Sequence, residues 1–352
     1  MIIALLSPLL FSKVYLDNAA TTFCDEQVLW IMNQIYRRKL GNPHSGHDKG
    51  REALLEITKA AEILKACVKG RHIIWTSGAT EANNIAILCA ADEGKTITCV
   101  TEHESVLAPV RYLRNTVFIE VDGRGQIDMA TLRQYINKGA RLVSVMLVNN
   151  ETGVMQPIAK IGALCRRHDV LLHVDAASSF GKIDIDMEKL GIDMLTISGH
   201  KIYGPQGIGA LILSQTGFDA LVNPIMFGGL FHDRIRPGTL PTVLCAGLGK
   251  AAELACQRMD HNFKVARTQK AKFWTAFKER FPKAVETGNS DWPYILNVCV
   301  PKEGKVNLPL VLAKEFVFSA GSACSTGKPS HVLTAMGVDL KNNHVFRFSF
   351  GH

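Results

Sequence analysis

The chain has 352 residues, of which 47% are hydrophobic and 20% charged, so it carries enough apolar material for one large or two ordinary folded domains and reads as a soluble globular protein. Its formal charge of +8 favours acidic partners. The Lys and Arg residues are scattered, however, and no basic run interleaved with aromatics occurs, which weighs against direct nucleic-acid recognition. The nine cysteines (24, 67, 89, 99, 165, 245, 256, 299 and 324) are odd in number, contain no CxxC pair and show no metal-ligand spacing. That usage points to free thiols in a reducing, cytoplasmic setting, with no metal.

In chain order, the opening "MIIALLSPLLF" is apolar but about half a membrane span in length, and it lacks a basic leader and a small-residue cleavage site. It reads as a packed arm. From Val14 to about Leu213 short apolar runs alternate with amphipathic ones. The strand candidates are "HIIWTSG", "TITCVTE", "TVFIEVD", "RLVSVMLVNN", "VLLHVDAA" and "DMLTISG", with helical stretches such as 159–168 between them. The alternation predicts a mostly parallel sheet wrapped by helices, and in such sheets ligands sit at the carboxyl ends of the strands. After Thr239 comes a long helical region over about 244–280, then "YILNVCV" and a short α+β tail. A second, smaller unit beginning near residue 255 follows from that change of character.

Chemistry concentrates around "SGHKIYGPQGIGA", 198–210, where Lys201 sits among small residues. A lysine there is either a surface charge in a glycine-rich hairpin or an enclosed amine able to form a Schiff base with a carbonyl cofactor. Three earlier features bear on the choice. An apolar strand ends in Ser77, Gly78 and Ala79, with a helix starting near Thr80, whose free amides suit a phosphate as well as an ordinary turn. Asp175 ends "LLHVD", where it could face a pyridinium nitrogen or cap a helix. His103 in "TEHES" could stack on a flat ring or cap the next helix. Phosphate loop, histidine, aspartate and lysine together form the inventory of a pyridoxal 5'-phosphate site.

The stretches "YLDNAATT", "GNPHSGH", "TSGATEANN", "TEHESVL", "VNNETGV", "HVDAA", "SGHKIYGPQGIGAL" and "SAGSACSTGKPSHVL" resemble the cysteine desulfurases of the NifS and IscS type, in the class V aminotransferase superfamily, from about Val14 to Gly351. The resemblance implies an α/β fold, the type I fold of pyridoxal phosphate-dependent transferases. It also implies a large domain over 14–254 with a mainly parallel seven-stranded sheet flanked by helices. Residues 1–13 and 255–352 would form a smaller α+β domain, shortened at its C-terminus.

By the same resemblance Ala79 and Thr80 hold the cofactor phosphate, with Ser198 and His200 completing the cradle around Lys201. His103 stacks on the ring, Asp175 binds its nitrogen, and Asn150 lies beside cofactor and substrate. Thr239 reaches the phosphate of a neighbouring subunit in a homodimer, and Asn42 joins Asn150 and Arg347 around the substrate. Arg347 grips the carboxylate of L-cysteine, as the fork of a guanidinium suits. Cys324, in a segment of small and polar residues, carries the persulfide and passes it to a sulfur-acceptor protein. Ser178 stands where the family has a glutamine. A selenocysteine lyase or another activity of the class V aminotransferase fold, or a catalytically impaired, partner-dependent scaffold, would use the same inventory.

Overall fold

The computed structural model describes residues 13–90, 94–229, 235–289, 291–303, 307–319 and 329–351. The expectations for Cys324 and for the apolar arm fall outside these residues.

Twelve strands appear in chain order: β1 (Val14–Tyr15), β2 (His72–Thr76), β3 (Lys95–Cys99), β4 (Thr116–Ile119), β5 (Ala140–Met146), β6 (Leu171–Asp175), β7 (Met194–Ser198), β8 (Gly209–Leu213), β9 (Val285–Thr287), β10 (Ile295–Pro301), β11 (Phe316–Val317) and β12 (Asn343–Ser349). Seven form one sheet in the order β2-β8-β7-β6-β5-β3-β4. All its pairings are parallel except those of β8, which runs antiparallel to both neighbours. The sheet is therefore mainly parallel, and each of the six expected strand runs lies in it. Strands β6, β7 and β8 are buried at every residue, as strands covered on both faces must be. Polar side chains inside the sheet pair with one another: Ser144 Oγ of β5 meets His173 Nδ1 of β6 at 2.8 Å, and His173 Nε2 meets Thr196 Oγ1 of β7 at 3.0 Å. This ties three adjacent strands through one imidazole.

The helices are α1 (Glu26–Arg37), α2 (Asp48–Val68), α3 (Ala79–Ala90), α4 (Glu104–Tyr112), α5 (Met129–Asn137), α6 (Ile158–Arg167), α7 (Met187–Leu190), α8 (Gln215–Asp219), α9 (Thr242–Gln257), α10 (Met259–Arg280), α11 (Leu308–Leu312) and α12 (His331–Ala335). In α2 the buried residues Ala53, Ile57, Ala60, Leu64 and Val68 recur at helical spacing, so one face packs inward while Lys and Glu face water. The long helical region expected over 244–280 is two helices, because Arg258 leaves helical geometry between α9 and α10. Among the described residues, no helix is long and apolar enough to cross a membrane.

A second sheet, β12-β10-β9, is antiparallel. Its aromatic side chains, Phe346 and Phe348 among them, pack with Phe273, Phe277 and Phe318. Early and late stretches of the described chain meet here. Strand β1 pairs in parallel with β11, and Asp17 bridges to Ser349. One apolar core runs without a break from the seven-stranded sheet to the three-stranded one.

Candidate active site

Five carboxyl ends, those of β2, β3, β5, β6 and β7, open on one cavity of about 540 Å³. Lining it are Ala79, Thr80, His103, Asn150, Asp175, Ser178, Ser198, His200, Lys201 and Arg347, brought together from across the sequence. Asn42 and Thr239 do not line it: both are exposed, and the Asn42 side chain accepts from His44 N at 2.9 Å. Arg236, three residues before Thr239, is tied to Glu81 of α3 at 2.8 Å.

Lys201 ends a single 3₁₀ turn, Gly199–Lys201, directly after β7. The turn can fold this tightly because a Cβ on Gly199 would come within 2.7 Å of the Pro205 carbonyl, and one on Gly209 within 2.7 Å of that of Ile197. Its ammonium donates to the carbonyls of Ala19 and, at 2.8 Å, Ala20. The "YLDNAATT" stretch thus forms the wall facing the lysine. Beside it, His200 Nδ1 meets Thr21 Oγ1 at 3.1 Å, and burial, with the Lys201 charge second, pushes the His200 pKa down to about 4. His200 is accordingly neutral at pH 7.

Asp175 Oδ1 accepts from Ala177 N at 2.9 Å and Oδ2 from Asn83 Nδ2 at 2.8 Å. The same amide nitrogen of Asn83 donates to Ser105 Oγ at 2.8 Å, and Ser105 reaches His103 Nδ1 at 2.8 Å. The Ser105 amide also donates to Nδ1, so in neutral His103 the proton belongs on Nε2. Burial, aided by Lys201, lowers the His103 pKa against the pull of Asp175. Behind them Glu102 is fully buried; burial first, then the Asp175 charge, raise its pKa well above the usual carboxylate range.

On the opposite wall stands Arg347, 2% exposed on β12 across from Asn297. It donates to the Asn150 carbonyl at 2.9 Å, to Asp17 Oδ1 at 2.9 Å and to Ser319 Oγ at 3.0 Å. Ser319 in turn donates to Asp17 at 2.8 Å. The Arg347 Nε has no partner among the described residues, although it is buried. In "VNNE" the two asparagines divide the work. The Asn149 side chain bonds within the loop, to Glu151, Thr152 and the Thr101 carbonyl, while Asn150 faces the cavity.

Several contributors were not singled out by sequence reasoning: Asp17, Asn83, Glu102, Ser105 and Lys182. Lys182 donates to the Ser178 carbonyl at 3.1 Å, and burial, with the Lys201 charge second, pulls its pKa down to about 7. Asp17, Asn83, Glu102 and Ser105 lie inside quoted motifs, whose length was the available signal. Lys182 had none.

The site fits a phosphorylated, flat, cationic-ring ligand on its own chemistry. Ser198 Oγ is buried with no partner among the described residues, and a Cβ built on Gly78 would have that oxygen as its nearest neighbour at 4.0 Å. Here α3 begins, with first-turn amides that no helical carbonyl can satisfy. An anion at this corner would satisfy both. Among the described residues no group of three His, Cys, Asp or Glu side chains could hold a metal ion.

The fold and cavity define a class, and the chain belongs to the class-V aminotransferase family, whose model matches residues 14–352. Members of this family depend on pyridoxal phosphate. More particularly, the chain is 38% identical to the mitosomal cysteine desulfurase of Trachipleistophora hominis, over 97% of this chain and 82% of that one. It is equally 38% identical to the cysteine desulfurase IscS of Rickettsia africae, over 96% and 86%. Among solved structures, a NifS-like protein from Rickettsia africae superposes with a TM-score of 0.87 at 29% identity, covering 97% of this chain and 94% of that one. SspA in complex with cysteine superposes with a TM-score of 0.84 at 31% identity, covering 96% and 98%.

Proposed function

We propose that the chain is a pyridoxal phosphate-dependent cysteine desulfurase, converting L-cysteine to L-alanine while its sulfur passes to Cys324. The observation that carries this reading is the convergence of Lys201, His103, Asp175 and Arg347 on one cavity. When bound, the cofactor supplies an electron sink for the pair left behind as the substrate loses its α proton.

The chain's own residues do the rest. The amides of Ala79 and Thr80 and the Ser198 hydroxyl hold the phosphate, with His200 beside them. The Asp175 carboxylate, fixed by Asn83 and the Ala177 amide, faces the ring nitrogen. His103, its tautomer set by Ser105, would cover the ring, and Ser178, which lines the same cavity, would face the ring hydroxyl. Lys201 Nζ would hold the cofactor covalently and would serve as the base for the substrate's α proton. Asn150 flanks the substrate, whose carboxylate is gripped by Arg347. The Cys324 thiolate attacks the substrate sulfur: the new S–S bond forms as the carbon–sulfur bond breaks, leaving a persulfide. Both flanks of its segment are anchored near the cavity, Ser319 on Arg347 and Asp17, Ser330 on Glu151 at 2.6 Å.

We further place the site in a homodimer, Thr239 of one copy serving the phosphate in the other, within the cytoplasm. The persulfide would pass to a sulfur-acceptor protein of iron-sulfur cluster assembly or tRNA thiolation. Residues 14–254 form the cofactor unit in this reading, and 255–352 the smaller unit that brings Arg347. Alanine release from L-cysteine, measured with a thiol reductant, is the test. Lys201→Ala should abolish both release and the lysine-linked absorbance, whereas Cys324→Ser should keep the absorbance and release no sulfur. Unchanged turnover in either variant would overturn the assigned role.

A further inference from the structure

Outside the active site, two thiols meet across the pairing of α2 and α9. These helices approach closely because a Cβ on Gly249 would lie 2.7 Å from that of Ala60. Cys67 is seven residues beyond Ala60, and Cys256 seven beyond Gly249. Seven residues make nearly two helical turns, so each cysteine returns to the face that carries the crossing. Cys67 Sγ stands 4.0 Å from the carbonyl of Ala252, one turn before Cys256. The two thiols are close enough to perturb each other's protonation, and both are only half-buried.

That proximity makes the pair unequal. The neighbouring Cys67 lowers the Cys256 pKa, while Cys67 itself is driven up, by Cys256 first, then by burial and the charge of Glu253. Asp184 opposes the Cys256 thiolate without reversing the direction. Every other described cysteine is shifted upward, chiefly by burial, with Cys99, Cys165 and Cys245 at about 12. Cys256 is thus drawn towards its thiolate where the other described cysteines are not, with a second thiol beside it to resolve whatever it forms.

We propose that Cys67 and Cys256 form a reversible disulfide that staples α2 to α9. The Cys256 thiolate attacks one sulfur of a low-molecular-weight disulfide, whose S–S bond breaks and expels one thiolate. Cys67 then gives up its proton to solvent and attacks Cys256 Sγ, expelling the second thiolate as the internal S–S bond forms. Two protein thiols are oxidised and one small disulfide is reduced to two thiols. The staple fastens a helix that also supports the lysine turn, since a Cβ on Gly204 would lie 3.0 Å from Ala251 Cβ, and one on Gly181 2.7 Å from Ala255 Cβ. The bond would close a loop containing β2 to β8, the whole seven-stranded sheet.

The test is to equilibrate the holoprotein in glutathione mixtures of increasing oxidation, quench with acid, alkylate the free thiols and map the digest by mass spectrometry. A peptide linking Cys67 to Cys256 should grow with the oxidant and vanish on reduction, while Cys99, Cys165 and Cys245 stay alkylated. Cys67→Ser should stop at a glutathione adduct on Cys256, and Cys256→Ser should slow reaction at Cys67 at least about tenfold. The oxidised wild type should melt roughly 5 °C above the reduced form, a shift absent from Cys67→Ser. Alkylation of both cysteines at every oxidant level, or separate adducts without a link, would overturn the disulfide. Equal melting temperatures with the bond present would overturn the staple.

Discussion

The two walls of the cavity are built on opposite principles. The ring-facing wall is made by strand ends of one sheet, and each of its side chains is positioned by the strand that immediately precedes it: His103 after β3, Asp175 at the end of β6, Lys201 one turn after β7. The wall of Arg347 is made by early and late stretches of the described chain, with Asp17 and Arg347 paired across 330 residues of sequence. Local geometry therefore governs the first wall and long-range pairing the second. A fault in the first should spoil chemistry in a standing protein, and a fault in the second should cost binding and stability together.

Asp175→Asn breaks the first wall most sharply. It keeps the size and one acceptor oxygen but loses the charge facing the ring, so kcat should fall roughly a hundredfold or more with the fold intact. Steady-state alanine release and circular dichroism check this; a loss of fold would erase the distinction between the walls. Asp17→Asn breaks the second. Arg347 would remain buried without its carboxylate, at a cost of about 3 kcal/mol in denaturant unfolding and an increase in KM that exceeds any change in kcat. A drop confined to kcat would instead place Asp17 with the chemical groups.

A pH titration sharpens the comparison on the ring side. His200 and His173 are both held near 4, by burial first in each case, so the folded chain refuses protons that the unfolded chain accepts below about 6.5. Their contribution is fully present above pH 6.5 and is lost as pH falls towards 4, and unfolding midpoints should decline through that window. His173→Gln should flatten part of the decline. The smallest effect is expected from Asn83→Ala, which removes the donor shared by Asp175 and Ser105: about 1 kcal/mol per lost bond, and a shift in the pH dependence of the cofactor's absorbance. An unshifted profile would show that Asn83 merely fills space.

The same division decides what could be read from the sequence. Lys201, Asp175 and His103 were legible because a strand's end and the residue after it are contiguous in the chain. The sheet was legible as mostly parallel, but the reversed direction of β8 was not, since "GALIL" reads the same either way. Arg258 gave no sign that it would interrupt a long helical pattern. Asp17 could not be matched to Arg347, nor Asn83 to Asp175 and Ser105, because no periodicity links residues that meet only after the sheet has formed. Lys182 looked like any lysine beside a glycine, and only its place below Ser178 and 5.4 Å over the Tyr294 ring sets it apart.

The pairing of Asp17 with Arg347 also sets a timetable. Every described ring-facing residue, and the helix α9 that backs the lysine turn, has been synthesised by Gln257, but Arg347 follows ninety residues later. At roughly 5 to 20 residues per second, that interval is on the order of ten seconds on the ribosome. For that time the emerging protein would have the pieces for holding a cofactor but not the arginine that grips a substrate carboxylate. Assembly and specificity would thus be separated in time, with the ability to select a substrate arriving last.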